Sequence, residues 1–246
     1  MNNFNQRKKD VLSKTDKSSA GKWDGKIISL CDKINSEENY YTTSSCSGRI
    51  ILMINQEKKG ENLFLFVSHD KVSFKELKSV LNNLLSPKAR DINYSRPDFV
   101  INENDKSQNA HPESAFGQDS SLRKKVKMLT NSKQSSTINV LKKSEIKNLK
   151  VKFKMEPAII HIACKTLEDA EKLFEIGKNA GWKRLGIIGT RNGFTFELNS
   201  TEKLEFPIVQ NKKILVDDDF LKIIVDDANR KLEMSWLKIQ KLQKLF

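Results

Sequence analysis

Between Asp24 and Asn35 the chain reads "DGKIISLCDKIN", in which Ile27, Ile28, Leu30, Cys31 and Ile34 recur at spacings of three and four. That period places them on one side of a helix and predicts an amphipathic one. "RIILMIN" (49–55) and "NLFLFVSHD" (62–70) are apolar runs of strand length. Ser73 followed by Glu76 in "SFKELKSVLNNLL" is a capping-box pattern ahead of a further helix. The first half thus reads helix, helix, strand, strand, helix. In the second half, "VKFKMEP" alternates apolar and charged residues as a half-buried strand does, and Pro157 ends it. "AIIHIAC" is apolar on both faces and predicts a central strand. "TLEDAEKLFEIGKNAG" predicts a helix capped by Thr166 and stopped at Gly181, with Leu167, Ala170, Leu173 and Phe174 facing inward. "RLGIIGT" and "FTFEL" flank Asn192-Gly193, a tight-hairpin signal. "LEFPIV" and "KILV" read as edge strands, and Asp217 opens a long closing helix.

This mixture predicts an α+β protein, a single domain with a mixed, hairpin-rich sheet flanked by helices. A Rossmann fold does not fit, because GxGxxG between a strand and a helix is absent. One stretch, 97–150, breaks the pattern. It is rich in Asn, Ser, Lys and Gln and has no sustained period, so it reads as a disordered low-complexity basic insertion with a short basic helix at "SSLRKKVKMLT". The layout is then 1–96 and 151–246 as two parts of one domain, with 97–150 as insertion or linker.

Charge narrows the choice of partner. Lys and Arg outnumber Asp and Glu 44 to 31, a formal charge of +13. Such a surface suits nucleic acid, an anionic membrane or solvent alone. No helix pairs a wide basic face with exposed Trp and Leu, which argues against the membrane. The 3 cysteines, Cys31, Cys46 and Cys164, never form CxxC, so neither a disulfide framework nor a zinc ribbon is encoded, and a reducing compartment is expected. "MNNFNQRKKD" has no apolar signal core; a soluble cytoplasmic or nuclear protein is expected.

Candidate chemistry gathers at "YYTTSSCSGRI" (40–50). Read as a loop, it offers hydroxyls and, around Gly48, backbone N–H groups that can hold an anion, with Arg49 as a planar cation. It is also readable as a plain turn. Cys46 is a thiolate candidate if His69 or His161 lies near, or a small packed residue otherwise. His69, at a strand end beside Asp70, has the makings of a general base, a phosphate holder or a simple hydrogen-bonder. His161 shares a strand face with Ile159 and Ala163, so it is either core or pocket lining. P-loop, HExxH and GxSxG motifs are absent.

Taken together, "YYTTSSCSGRI", "FVSHD", "VKFKMEPAIIHIACKTLEDAEKLFEIGKNAGWKRLGI", "STEKLEFPI" and "DDANRKL" resemble, in order, the tRNA wybutosine-synthesising methyltransferases of archaea and eukaryotes, over nearly everything except 97–150. The resemblance implies methyl transfer from S-adenosylmethionine to N4 of the tricyclic wyosine-type base beside the anticodon of tRNA-Phe. The acceptor resembles aminocarboxypropyl-4-demethylwyosine. Such an in-line displacement needs placement of the acceptor nitrogen and loss of its proton, to a base such as His69 or to water. By motif position the resemblance assigns His69, Arg49 and Cys46 to catalysis. It assigns Thr43, Ser44, Ser45, Ser47 and Gly48 to the cofactor, and His161, Lys183 and Gly186 to the substrate, with no metal. Arg49 would pair with the carboxylate of either the cofactor or the base. The chain departs from the family at "KRLGI", where Leu185 stands in place of the usual Ser. A non-catalytic tRNA-binding module is the competing reading, and a small-molecule binder with incidental charge is a third; oligomeric state stays open.

Overall fold

In the computed structural model, residues 4–14, 24–55, 64–85, 149–190 and 193–246 are described. Their elements are α1 (Phe4–Leu12), α2 (Ile28–Ser36), β1 (Tyr40–Cys46), β2 (Arg49–Ile54), β3 (Phe64–Ser68), α3 (Phe74–Leu85), β4 (Lys150–Glu156), β5 (Ile159–Cys164), α4 (Leu167–Asn179), β6 (Arg184–Gly189), β7 (Phe194–Asn199), β8 (Leu204–Gln210), β9 (Lys213–Ile214) and α5 (Asp218–Leu245). The segment read as an insertion lies outside the described residues up to 148, as does Asn192 of the hairpin. Leu149 is buried and β4 starts at Lys150.

The α+β class holds, with two sheets in place of a single mixed one. The first has the order β1-β5-β7-β6 and the second β3-β2-β4-β8-β9. Every pairing is antiparallel. Strands from both sides of 86–148 lie side by side, β2 with β4 and β1 with β5.

Four local readings change. "YYTTSSC" is not a loop: it is β1, paired along β5 with a bulge at Thr43. Tyr and Thr are good strand formers once a partner strand is present, and the pairing is long-range, so the local composition concealed it. In α4, Ala170 and Leu173 are buried, but Leu167 and Phe174 are 45% and 39% exposed. The buried stripe runs Ala170, Leu173, Gly177, and Phe174 lies one residue, about 100°, away from it. Gly177 is there for closeness, since a Cβ would come within 2.9 Å of Leu198 Cδ2. Ile28 of α2 likewise faces solvent, while Ile27, Leu30, Cys31 and Ile34 are buried. "LEFPIV" is β8, an inner strand between β4 and β9. Its Pro207 is tolerated because β9 covers only Val209 and Gln210, and the ladder to β4 shifts at Val151 and Lys152, opposite it.

One helix joins the two cores. Leu221, Ile224, Val225, Ala228 and Leu232 of α5 pack with α3 on the second sheet; Ile239 and Leu242 pack with α2 and α4 on the first; Trp236 touches both groups. Its 28 residues span about 42 Å. Asp217 caps it, accepting from the Phe220 N–H at 2.8 Å. The chain passes between the sheets at Ser47-Gly48, at Pro157-Ala158 and at 200–203. Gly48 makes the first passage possible: its φ is +99°, and a Cβ would lie 3.0 Å from Leu232 Cδ1 and 3.1 Å from the Glu156 carbonyl oxygen. The third is tied to α5 by Lys238, whose Nζ is 2.8 Å from both carboxylate oxygens of Glu202, with the Ser200 hydroxyl donating to the same carboxylate.

Candidate active site

The first passage between the sheets brings the predicted residues to one place. β1 ends at Cys46, Ser47 and Gly48 turn the chain, and β2 begins at Arg49. The β2–β3 ladder has Ile50 opposite Ser68, so Arg49 and His69 follow at the same end of the sheet. His69 Nδ1 is 3.1 Å from the Gly48 carbonyl oxygen, 3.2 Å from Asp24 Oδ2 and 3.9 Å from Cys46 Sγ. Two oxygen acceptors around one nitrogen mean that Nδ1 carries a hydrogen. Asp24, with only 10% of its side chain exposed, also accepts from the backbone N–H groups of Ser47 (2.9 Å) and Lys26 (3.1 Å).

The electrostatics follow from these contacts. Burial by itself would raise the Asp24 carboxyl, but hydrogen bonds from His69, from the Ser47 side chain and from the Ser47 and Lys26 backbone outweigh it and hold the group below the usual carboxylate range. Hydrogen bonding to Asp24, then to Cys46, pushes His69 up to about 10 against the opposing effect of burial. At neutral pH His69 is therefore a cation, suited to holding an anion rather than to accepting a proton. The donor atoms of Asp24, Cys46 and His69 all lie within 4.8 Å of one another, close enough to share a metal ion. The hydrogen bonds at Nδ1 account for that spacing without one.

Arg49 faces Glu156 across the β2–β4 ladder, with Nε 2.7 Å from Oε2, and its guanidinium sits 5.1 Å from the Phe64 ring centre. Both partners of the ion pair are about a third exposed, so the charge is positioned yet open to a ligand. Beside it, Lys26 stacks over Trp236 of α5 at 4.6 Å and lies 3.9 Å from Asp70.

The face of the first sheet turned away from α2 and α4, covered at Tyr41 by Phe4 of α1 and open around His161, continues this surface. Cross-strand register aligns Ser44, His161, Glu197 and Gly186 in one row over β1, β5, β7 and β6. His161 Nε2 is 2.8 Å from Glu197 Oε2, and the Thr43 hydroxyl donates to the His161 carbonyl at 3.3 Å. His161 is therefore surface lining and not core. Gly186 has open space where a side chain would stand.

Strand alternation separates the remaining predicted residues from this group. Ser45 points toward α2, its hydroxyl 3.3 Å from Cys31 Sγ, and Ser47 is fully buried at the turn. Lys183 is on a different side. With Phe174, Lys178, Gly181, Trp182 and Leu185 it lines a pocket of about 380 Å³ at the end of α4. Leu185 pairs with buried Leu198, which places this pocket on the helix-covered face, away from His161. Sequence reasoning missed Asp24, Glu156 and Glu197. Each is an unremarkable acid in the chain, and only long-range pairing gives it a partner.

Comparison with known proteins agrees with this architecture. A protein of Pyrococcus horikoshii, PH1069, has a solved structure that superposes with a TM-score of 0.65 at 25% identity, covering 98% of this chain and 93% of that one. A Xenopus laevis protein named tRNA wybutosine-synthesizing protein 3 homolog is 28% identical over 237 residues, 94% of this chain and 69% of its own length. A Thermococcus sibiricus protein named tRNA(Phe) 7-((3-amino-3-carboxypropyl)-4-demethylwyosine(37)-N(4))-methyltransferase is 27% identical over 240 residues, 97% of this chain and 91% of its own. Residues 6–246 match the family described as Methyltransferase TYW3, and the chain, with its ordered motifs folded around one passage between two sheets, belongs to that methyltransferase family.

Proposed function

We propose that this protein methylates N4 of the 7-aminocarboxypropyl-4-demethylwyosine base beside the anticodon of tRNA-Phe, with S-adenosylmethionine as donor, in the cytoplasm. The observation that carries the reading is the family match over residues 6–246, together with the likeness to the Thermococcus protein named for that reaction. Among the described residues no helix is long and apolar enough to cross a membrane. The parts 1–96 and 151–246 act as one domain.

The residues at the passage fit the amino-acid end of the donor. Arg49 and His69 supply cations for its carboxylate, and Glu156 supplies an anion for its ammonium group. Bound S-adenosylmethionine supplies an electrophilic methyl group on a sulfonium. Cys46, Thr43 and Ser44 line the way from this cluster to the open face of the first sheet. His161 and Gly186 present that face to the base, a flat platform with one polar pair. Lys183, on the far side, holds tRNA backbone rather than the base. Because His69 keeps its proton at neutral pH, water takes the proton of the acceptor nitrogen, and the protein's contribution is placement.

The test incubates the protein with methyl-labelled S-adenosylmethionine and tRNA from a strain lacking this step. Label in tRNA-Phe is expected, and none in tRNA without the tricyclic base. Salt-sensitive tRNA binding with all label left in the donor would establish the non-catalytic module instead.

A further inference from the structure

Asp24 has no motif around it, yet three N–H donors converge on it. It stands in the segment before α2, receives the Ser47 N–H from the turn between β1 and β2, and faces His69 from the turn after β3. Among the described residues, every hydrogen bond of the His69 ring runs through Nδ1. We propose that Asp24 is the positioning residue of this site: it locks His69 against the Gly48 carbonyl with Nδ1–H turned inward, leaving Nε2 to donate to an anionic oxygen of the bound ligand.

The charged surroundings support this assignment. Around His69 stand Asp24, Cys46 from β1, Asp70 on its own turn paired with Lys26 from the segment before α2, Lys71 paired with Glu233 of α5, and Arg49 paired with Glu156. The nearby lysines and arginine each have an acidic partner, so Asp24 is the carboxylate committed to the imidazole. Its hydrogen bond is the largest of the causes, ahead of the one to Cys46, that push His69 up to about 10. Replacing Asp24 by Asn removes the charge while keeping the shape, and His69 should then fall toward its ordinary value of about 6.5, with burial opposing what the Cys46 contact still adds. At pH 8 only about one ring in thirty would be protonated, against nearly all at wild type. The anionic oxygen belongs to the cofactor's carboxylate, the acceptor base's carboxylate or a tRNA phosphate; all three take the same hydrogen bond.

The primary test is ligand-free. The protein has 3 histidines, so the His69 ring signals can be assigned by loss in His69→Gln and followed by nitrogen-15 NMR against pH. Wild type should hold its proton past pH 9, and Asp24→Asn should release it near pH 6.5, with Asp24→Ser as a second variant if Asn impairs folding. A wild-type His69 that titrates near 6.5, or variants that titrate like wild type, overturns the proposal.

The second arm rests on the function proposed above. Calorimetric affinities for S-adenosylmethionine, its decarboxylated form, an unmodified tRNA-Phe transcript and tRNA-Phe from a strain lacking this step, which carries the base's carboxylate, are measured at pH 6 and pH 8. In Asp24→Asn at least one ligand should bind about thirtyfold more weakly at pH 8 and within about twofold of wild type at pH 6. Loss confined to S-adenosylmethionine identifies its carboxylate as the group held, loss shared by both tRNAs identifies a phosphate, and loss confined to the tRNA from that strain identifies the base's carboxylate. Weakening by the same factor at both pH values means a merely structural Asp24 and refutes the assignment. If wild type binds no S-adenosylmethionine, the methyltransfer reading fails, while the His69 titration still decides the role of Asp24.

Discussion

Gly48→Ala should destabilise the protein far more than an alanine usually does. Two separate effects add at this position. A φ of +99° is outside the comfortable range of a residue with a Cβ, costing about 1–2 kcal/mol. The new methyl would also stand 3.0 Å from Leu232 Cδ1, 3.1 Å from the Glu156 carbonyl oxygen and 3.4 Å from the Ala158 nitrogen. Two of those three are backbone atoms at a passage between sheets, with no rotamer to relieve them, so overpacking adds about 1–3 kcal/mol. The sum, about 2–5 kcal/mol, corresponds to a fall in Tm of roughly 4–20 °C for a chain of this size. Two other glycines separate the contributions. Gly181 has φ +87° with nothing within 4 Å, so Gly181→Ala should show the strain alone, about 1–2 kcal/mol. Gly186 has neither feature, and Gly186→Ala should leave stability unchanged. Urea unfolding followed by circular dichroism measures all three, with equal m-values as the condition for comparison. A Gly48→Ala midpoint at or above that of Gly181→Ala would refute the packing argument.

Other outcomes follow from the charged groups and the caps. Lys238→Met leaves Glu202, 9% exposed, without its counter-ion and should cost about 3–5 kcal/mol, largely recovered in the double variant Lys238→Met/Glu202→Leu; equal stability of single and double variants in urea would count against it. His69 has a raised folded value, so its stabilising contribution is complete below about pH 6.5 and fades as pH rises toward 10. His69→Gln should therefore flatten the decline of stability between pH 7 and pH 10, and an unchanged slope would argue that the ring is neutral. Arg49→Gln breaks a partly exposed pair and should alter stability by less than about 1 kcal/mol while lowering methyl transfer at least tenfold; turnover like wild type would remove Arg49 from the site. Thr166→Ala removes one half of a reciprocal capping box and should cost about 1 kcal/mol, read as a small midpoint shift.

Local chemistry in the sequence determined a good deal of this protein. The 3.6-residue period announced α2, Thr166 and Asp217 marked the starts of α4 and α5, and alternation announced β4; each of these is a short-range relation between a residue and its near neighbours. The ordered motifs also carried the family. What they did not carry was partnership at a distance. Nothing near residue 40 says that β5 will lie beside "YYTTSSC", and without that partner a run of Thr and Ser reads as a loop. Only the pairing reveals that Ser44 and Cys46 face outward while Ser45 turns to Cys31. Asp24 and His69 are 45 positions apart, a separation no periodicity can register, and their contact exists because two sheets and α2 meet where Gly48 lets the chain cross. The sequence supplied the chemical groups. Long-range antiparallel pairing, whose register is set by burial of one face of each sheet, decided which of them share a surface.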